Sequence, residues 1–241
     1  MKEPDVIENL GAYRRRIFVY LPDIEVRQLV YFHGTPGDGR QLGEGLWENL
    51  ETFFDETRAG LVMLEVEDWN RDLSPWPAEG VSPRGEDFAG GGRAYLEDLC
   101  RQVIPRVEEQ YAQLSHIQRR MIGGYSMGGL FALYAMLESP IFTDIISVSG
   151  SLWYEGIVEY VSGKIAGEGE MPGRGYFSLG QREPKTRNPR MKRVGEQTAD
   201  IRDIMAERGF PVHFQWNPGN HFQDELGRIE RAMRFMLGRK G

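Results

Sequence analysis

The sequence predicts an α/β fold in which a mostly parallel central sheet carries helices on both faces. Three observations lead there. Short apolar runs rich in β-branched and aromatic residues alternate with longer helical patterns, as strand–helix–strand crossovers require. Several of those runs are apolar throughout, as strands buried on both faces must be. A chain of 241 residues with 40% apolar side chains can also fill one large core. Residues 1–241 are therefore read as a single domain.

The predicted strands are Ile17–Tyr20, Leu29–Phe32, Leu61–Val66, Met121–Gly124, Ile145–Val148, Tyr176–Leu179 and Val212–Trp216. The last alternates Val212, Phe214 and Trp216 with His213 and Gln215, which marks a half-exposed strand near an edge. Helical spacing recurs in Leu96, Leu99, Val103 and Val107, then in Met191, Val194, Thr198, Ile201 and Met205, and finally in Leu226, Ile229, Met233 and Leu237. Pro105 should kink or split the first of these helices. The segment Met127–Leu137 is apolar on nearly every side and predicts a helix buried at the centre. Residues 67–92 and 163–175 read as irregular loops, and the gap between the sixth and seventh strands is too short for a large lid domain.

Composition excludes several functions. A net charge of −7 opposes binding to a phosphate backbone, and Arg14-Arg15-Arg16 is too short to reverse that. The single cysteine, Cys100, can form neither an internal disulfide nor a paired-thiol metal site. No H-E-x-x-H pattern is present, and Gly90-Gly91-Gly92 lacks the Lys-Ser/Thr ending of a phosphate loop, so catalysis without metal or cofactor is expected. No apolar run approaches the roughly 20 residues of a membrane span. The first residues do not resemble a signal peptide, and a cytoplasmic protein is the expectation.

Gly124-Tyr125-Ser126-Met127-Gly128-Gly129 lies between an apolar strand and an apolar helix, the setting of a nucleophile elbow. Small residues on either side of the serine let strand and helix approach closely enough to expose its hydroxyl on a strained turn. A serine hydroxyl needs a base near neutral pH, and histidine suits that task. Of the four histidines, His33 ends a strand, His116 lies in a polar connection and His213 sits within a strand. His221 follows the turn-rich Asn217-Pro218-Gly219-Asn220 and precedes the final helix, where the hydrolase order serine, acid, histidine places the base. The acid that would orient it falls after the sixth strand, at Glu183, which could also be a surface glutamate paired with Arg182 or Lys185. Oxyanion donors are expected from the backbone N–H of Met127 and from the loop His33-Gly34-Thr35-Pro36-Gly37-Asp38. Pro36 has no N–H, so Thr35 is the candidate there, with Gly37 behind it.

With the elbow, the His33-Gly34 loop, Ser147-Val148-Ser149-Gly150-Ser151-Leu152-Trp153-Tyr154 and Gly219-Asn220-His221-Phe222, the chain resembles the esterase D-like putative esterase family of α/β-hydrolases. That family includes siderophore trilactone esterases, feruloyl esterase domains and S-formylglutathione hydrolases, and the resemblance runs from about residue 28 to residue 237. It implies Ser126 as nucleophile, His221 as base and Glu183 as acid. Some siderophore esterases of the family work with a serine–histidine pair alone, which makes Glu183 the least constrained member.

The loops at the carboxyl ends of the strands would build the substrate pocket. They contribute Trp69, Arg71 and Trp76 from one side and Trp153 and Tyr154 from the other, suited to stacking an aryl or acyl group but equally able to cover the core. Arg71 could meet an anionic substrate or pair with Asp72. The sequence thus predicts a serine esterase acting on a small-molecule ester, such as a siderophore or a small acyl ester. An acyltransferase, or a silent binding protein on the same fold, is the alternative.

Overall fold

The computed structural model describes residues 3–8, 15–34, 37–81, 85–166 and 173–238. Strand β1 (Asp5–Glu8) pairs antiparallel with β2 (Arg15–Tyr20), and β3 (Gln28–His33) leads into helix α1 (Gly39–Thr57). Strand β4 (Ala59–Val66) is followed by the single-turn α2 (Trp69–Asp72) and by the two-residue strands β5 (Pro77–Ala78) and β6 (Phe88–Ala89). Then come α3 (Gly92–Asp98), α4 (Ile104–Gln110), β7 (Arg119–Tyr125), α5 (Met127–Glu138), β8 (Asp144–Val148) and α6 (Ile157–Lys164). Strand β9 (Gly175–Gly180), α7 (Val194–Glu207), β10 (Val212–Asn217) and α8 (Glu225–Gly238) complete the order.

Eight of these strands form one sheet in the order β1-β2-β4-β3-β7-β8-β9-β10. From β4 to β10 every pairing is parallel, and β2 joins β4 antiparallel. The α/β-hydrolase arrangement expected from the sequence is therefore present. Successive side chains of each strand feed opposite faces. In β4, Leu61 and Met63 enter a core beneath α1 and α8, whereas Val62, Leu64 and Val66 enter a larger core that also holds α5. Both sets are buried because helices lie over both faces, which is why these strands read as continuous apolar runs.

All seven predicted strands are found. Strand β10 lies at the sheet edge, as its alternation indicated, although Trp216 of its apolar set is exposed. Helix α5 is buried from Met127 to Met136. Between α3 and α4 the backbone widens into a π-helical segment over Leu99–Val103. Pro105 begins the next turn; it has no N–H to give the carbonyl four residues back, and just before it the Ile104 N–H reaches five residues back to the Leu99 carbonyl. Strand β1 went unpredicted, because DVIE is too short and polar to stand out. The 67–92 loop also has more regular structure than its prolines and glycines suggested, with α2 capped by Asp68 and a β5–β6 ladder.

Candidate active site

Strands β3, β7, β8, β9 and β10 run parallel, so their following loops converge on one edge of the sheet. Those loops carry Gly34, Ser126, Ser149 with Ser151, Glu183 and His221 respectively. The residues lie far apart in sequence and meet only through strand order.

Ser126 sits between β7 and α5 at φ 54° and ψ −118°, a positive-φ conformation that a residue with a Cβ occupies at a cost of about 1–3 kcal/mol. The surrounding glycines explain why the turn holds. A Cβ on Gly124 would fall 2.3 Å from the carbonyl carbon of Gly128, and one on Gly128 would fall 2.9 Å from the carbonyl oxygen of His33. Strand and helix backbones therefore touch across the turn, and Ser126 can only point outward. Its carbonyl accepts from the N–H groups of Gly129, Leu130 and Ser151, at 3.0, 3.2 and 2.9 Å.

The Ser126 hydroxyl oxygen lies 3.1 Å from His221 Nε2, and His221 Nδ1 lies 2.9 Å from Glu183 Oε2. A carboxylate only accepts, so Nδ1 carries the proton and Nε2 faces the serine as an acceptor. The Glu183 side chain is 5% exposed. It pairs with neither of the neighbours the sequence suggested: Oε1 accepts instead from the Ser149 hydroxyl at 2.9 Å, from Arg228 Nη1 at 3.1 Å and from the Gly180 N–H. Burial alone would raise this carboxyl, but hydrogen bonding to His221 and its charge, with the Gly180 and Ser149 donors, outweigh burial and hold it below the ordinary carboxylate range.

His221 stands on a loop whose carbonyl accepts from the Tyr125 hydroxyl. Burial pushes the Tyr125 phenol up, so it keeps the proton it donates. Ser151 Oγ lies 3.4 Å from Ser126 Oγ and is buried. The remaining histidines have structural places. His33 is buried against Tyr95, His116 is exposed beside Ser115, and His213 stacks on Phe235 at 4.2 Å.

Met127 is the first residue of α5, where an amide has no partner within its own helix. Thr35 lies outside the described residues. Of the predicted pocket residues, Tyr154 is fully buried, and its hydroxyl donates to the Trp76 carbonyl at 2.6 Å. The Trp76 indole donates to the Glu155 carbonyl, and its ring meets Tyr154 edge-on. Trp153 is 8% exposed against Phe88, and Trp69 is half-buried against the larger core. Arg71 pairs with Asp72 at 2.7 Å and with Asp68 at 3.4 Å. A groove of about 550 Å³ opens between the starts of α1 and α8, lined by Asp38, Leu42, Glu44, Glu48, Glu225 and Leu226. Phe222, next to His221, is 89% exposed.

Sequence reasoning missed Arg228, Ser149 and Tyr125. A signal existed for Arg228: it shares the buried stripe of α8 with Ala232 and Met236, and a charge on an apolar stripe marks a buried partner.

Among the described residues, no group of His, Cys, Asp and Glu is arranged to hold a metal ion, and no helix is long and apolar enough to cross a membrane. The family described as "Putative esterase" matches residues 14–224. The uncharacterized protein YbbA of Bacillus subtilis is 33% identical over 208 residues, covering 83% of this chain and 81% of that protein. The iron(III) salmochelin esterase of Escherichia coli is 24% identical over 152 residues, 60% of this chain but only 34% of the esterase's length. Among solved structures, the siderophore hydrolase EstA from Aspergillus nidulans superposes with a TM-score of 0.78 at 18% identity, covering 97% of this chain and 93% of that one. The family match spans most of the sequence, and the chain belongs to the putative esterase family, as a carboxylic ester hydrolase of the α/β-hydrolase fold.

Proposed function

We propose that the chain acts as one catalytic domain that cleaves esters through an acyl-enzyme on Ser126, with His221 as base and Glu183 as the carboxylate that orients it. The observation that carries this is the hydrogen-bonded chain from Ser126 Oγ through His221 to Glu183, at 3.1 and 2.9 Å. As Ser126 Oγ attacks the ester carbonyl carbon, His221 Nε2 takes its proton. The carbonyl oxygen becomes an oxyanion facing the Met127 N–H, and a second donor from the Gly34–Gly37 loop, Thr35, completes the hole. Collapse breaks the bond to the leaving oxygen, which takes the proton from His221. Water then attacks the acyl-enzyme by the same route, with His221 again as base. Glu183 keeps its negative charge throughout and stabilises the imidazolium.

For substrate, the reading favoured is a small-molecule ester such as a siderophore or a small acyl ester. The relative named as a salmochelin esterase supports this. Trp76 retains partial exposure with which to meet an aryl or acyl group, whereas Trp153 and Tyr154 are buried and would act through packing.

Treatment with a fluorophosphonate followed by peptide mapping is expected to give one adduct, on Ser126. Ser126→Ala is expected to abolish the adduct and lower ester turnover on the order of 10⁴-fold or more with an unchanged melting temperature. Turnover near wild type in that variant would sink the proposal. A panel pairing a trilactone siderophore with simple aryl esters then tests the substrate, and product formation that requires an added alcohol would indicate acyl transfer instead.

A further inference from the structure

Arg228 is fully buried on the first turns of α8. Its Nη1 donates to Ser149 Oγ at 2.8 Å and to Glu183 Oε1 at 3.1 Å, while Nη2 donates to the carbonyls of Pro218 at 2.9 Å and Asn220 at 2.8 Å. A Cβ on Gly180 would fall 2.7 Å from Nη2, so the glycine ending β9 leaves the space the guanidinium fills. Burying a guanidinium is costly unless its fork is matched to acceptors, and here the loops after β8, β9 and β10 supply them to both Nη atoms.

One cation thus grips both the carboxylate facing His221 and the two peptide carbonyls on either side of Gly219, just ahead of His221. Its charge also acts on the site. With His221 neutral, Arg228 and Glu183 balance; when His221 accepts the Ser126 proton, the cluster becomes net positive. Glu183 faces the Nδ1 side of the ring, Tyr125 is neutral because burial pushes its phenol up, and Arg228 stands behind Glu183 with the opposite charge. The same contact discourages Glu183 from taking the Nδ1 proton.

We infer that Arg228 is a positioning residue for ester cleavage, fixing Glu183 and the His221 loop as one unit and setting a positive charge behind Glu183. This rests on the catalytic reading of Ser126, Glu183 and His221. It does not follow from that reading, because a serine–histidine–glutamate set needs no arginine.

The test compares wild type with Arg228→Met and Arg228→Lys. In Arg228→Met, kcat is expected to fall on the order of 10- to 100-fold, as when the outer partner of a functional histidine is lost, with KM little changed. The acid limb of kcat/KM is expected to move to higher pH, because Glu183 then acts on His221 unopposed. Arg228→Lys keeps the charge but not the fork, so the limb should stay near its wild-type position while kcat remains reduced. NMR titration of the His221 ring in a Ser126→Ala background reads the same shift without turnover. Wild-type kcat in Arg228→Met, or a His221 titration that does not move when Arg228 is replaced, overturns the inference. If Arg228→Met does not fold, Arg228→Lys decides: wild-type kcat there overturns the inference as well. Failure of the catalytic reading is seen separately, as an active Ser126→Ala enzyme.

Discussion

The turns that carry Ser126 and His221 meet at 3.1 Å but are built by different means. The β7–α5 turn is held from within. Gly124 and Gly128 touch each other, the Ser126 carbonyl closes the first turn of α5, and the helix behind it is buried along most of its length. The β10–α8 connection is exposed at Pro218, Asn220 and Phe222, and it is held from outside by Arg228 on two carbonyls and by Tyr125 on a third. A strained turn such as that of Ser126 can thus be held locally, whereas His221 on its longer loop takes its position from elements that surround it.

The largest effects test what each turn delivers. His221→Ala is expected to approach Ser126→Ala in its loss of turnover, since residues acting as a unit are not additive. Glu183→Gln should cost less than either, because in the proposed mechanism the carboxylate only orients and stabilises the ring. Rates for Glu183→Gln equal to wild type would remove it from the mechanism.

A glycine in each turn separates local from remote support. Gly124→Ala forces a Cβ to 2.3 Å from backbone that cannot move aside, and about 3 kcal/mol of stability should be lost in denaturant titration. Gly219→Ala is strained by a φ of 89°, but its new Cβ meets the flexible Gln223 side chain at 2.5 Å. About 1–2 kcal/mol is expected there. Equal losses at the two sites would end the contrast.

Glu183 gives the comparison a pH dependence. Its folded-state carboxyl is held below the ordinary carboxylate range, so its stabilising contribution is fully present above that range. The contribution is lost as pH falls through the lower, folded-state value. The stability gap between wild type and Glu183→Gln should therefore stay constant at neutral pH and narrow only in acid below the usual carboxylate range. A gap that narrows as pH rises would contradict the assignment. The smallest effect expected is at Tyr125→Phe, which frees one carbonyl of the His221 loop. About 1 kcal/mol of stability should go, with a loss of activity of about tenfold or less.

Much of the frame was legible because burial on both faces writes itself into strands such as Leu61–Val66 as unbroken apolar runs. The strained turn at Ser126 was legible for a similar reason: its demands for small residues fall within six consecutive positions. The short antiparallel β1 and the ladder inside residues 67–92 were not, since two to four polar or proline-bearing residues carry no period. The aromatic residues at the strand ends were legible as aromatic, but composition could not separate a lining from a cover. In the structure Tyr154 and much of Trp153 are cover. Arg71 likewise spends its charge on Asp68 and Asp72.

By itself, the sequence determined the class of fold, the strained serine and the pairing of that serine with a histidine before the last helix, because each depends on residues close together or on chain order. Only the tertiary structure decided that Glu183 turns from its sequence neighbours toward His221, and that Arg228 lies beneath both. Those contacts join residues 38 to 45 positions apart. Their partners are chosen by which strand ends lie side by side, and no local pattern of residue types records that order.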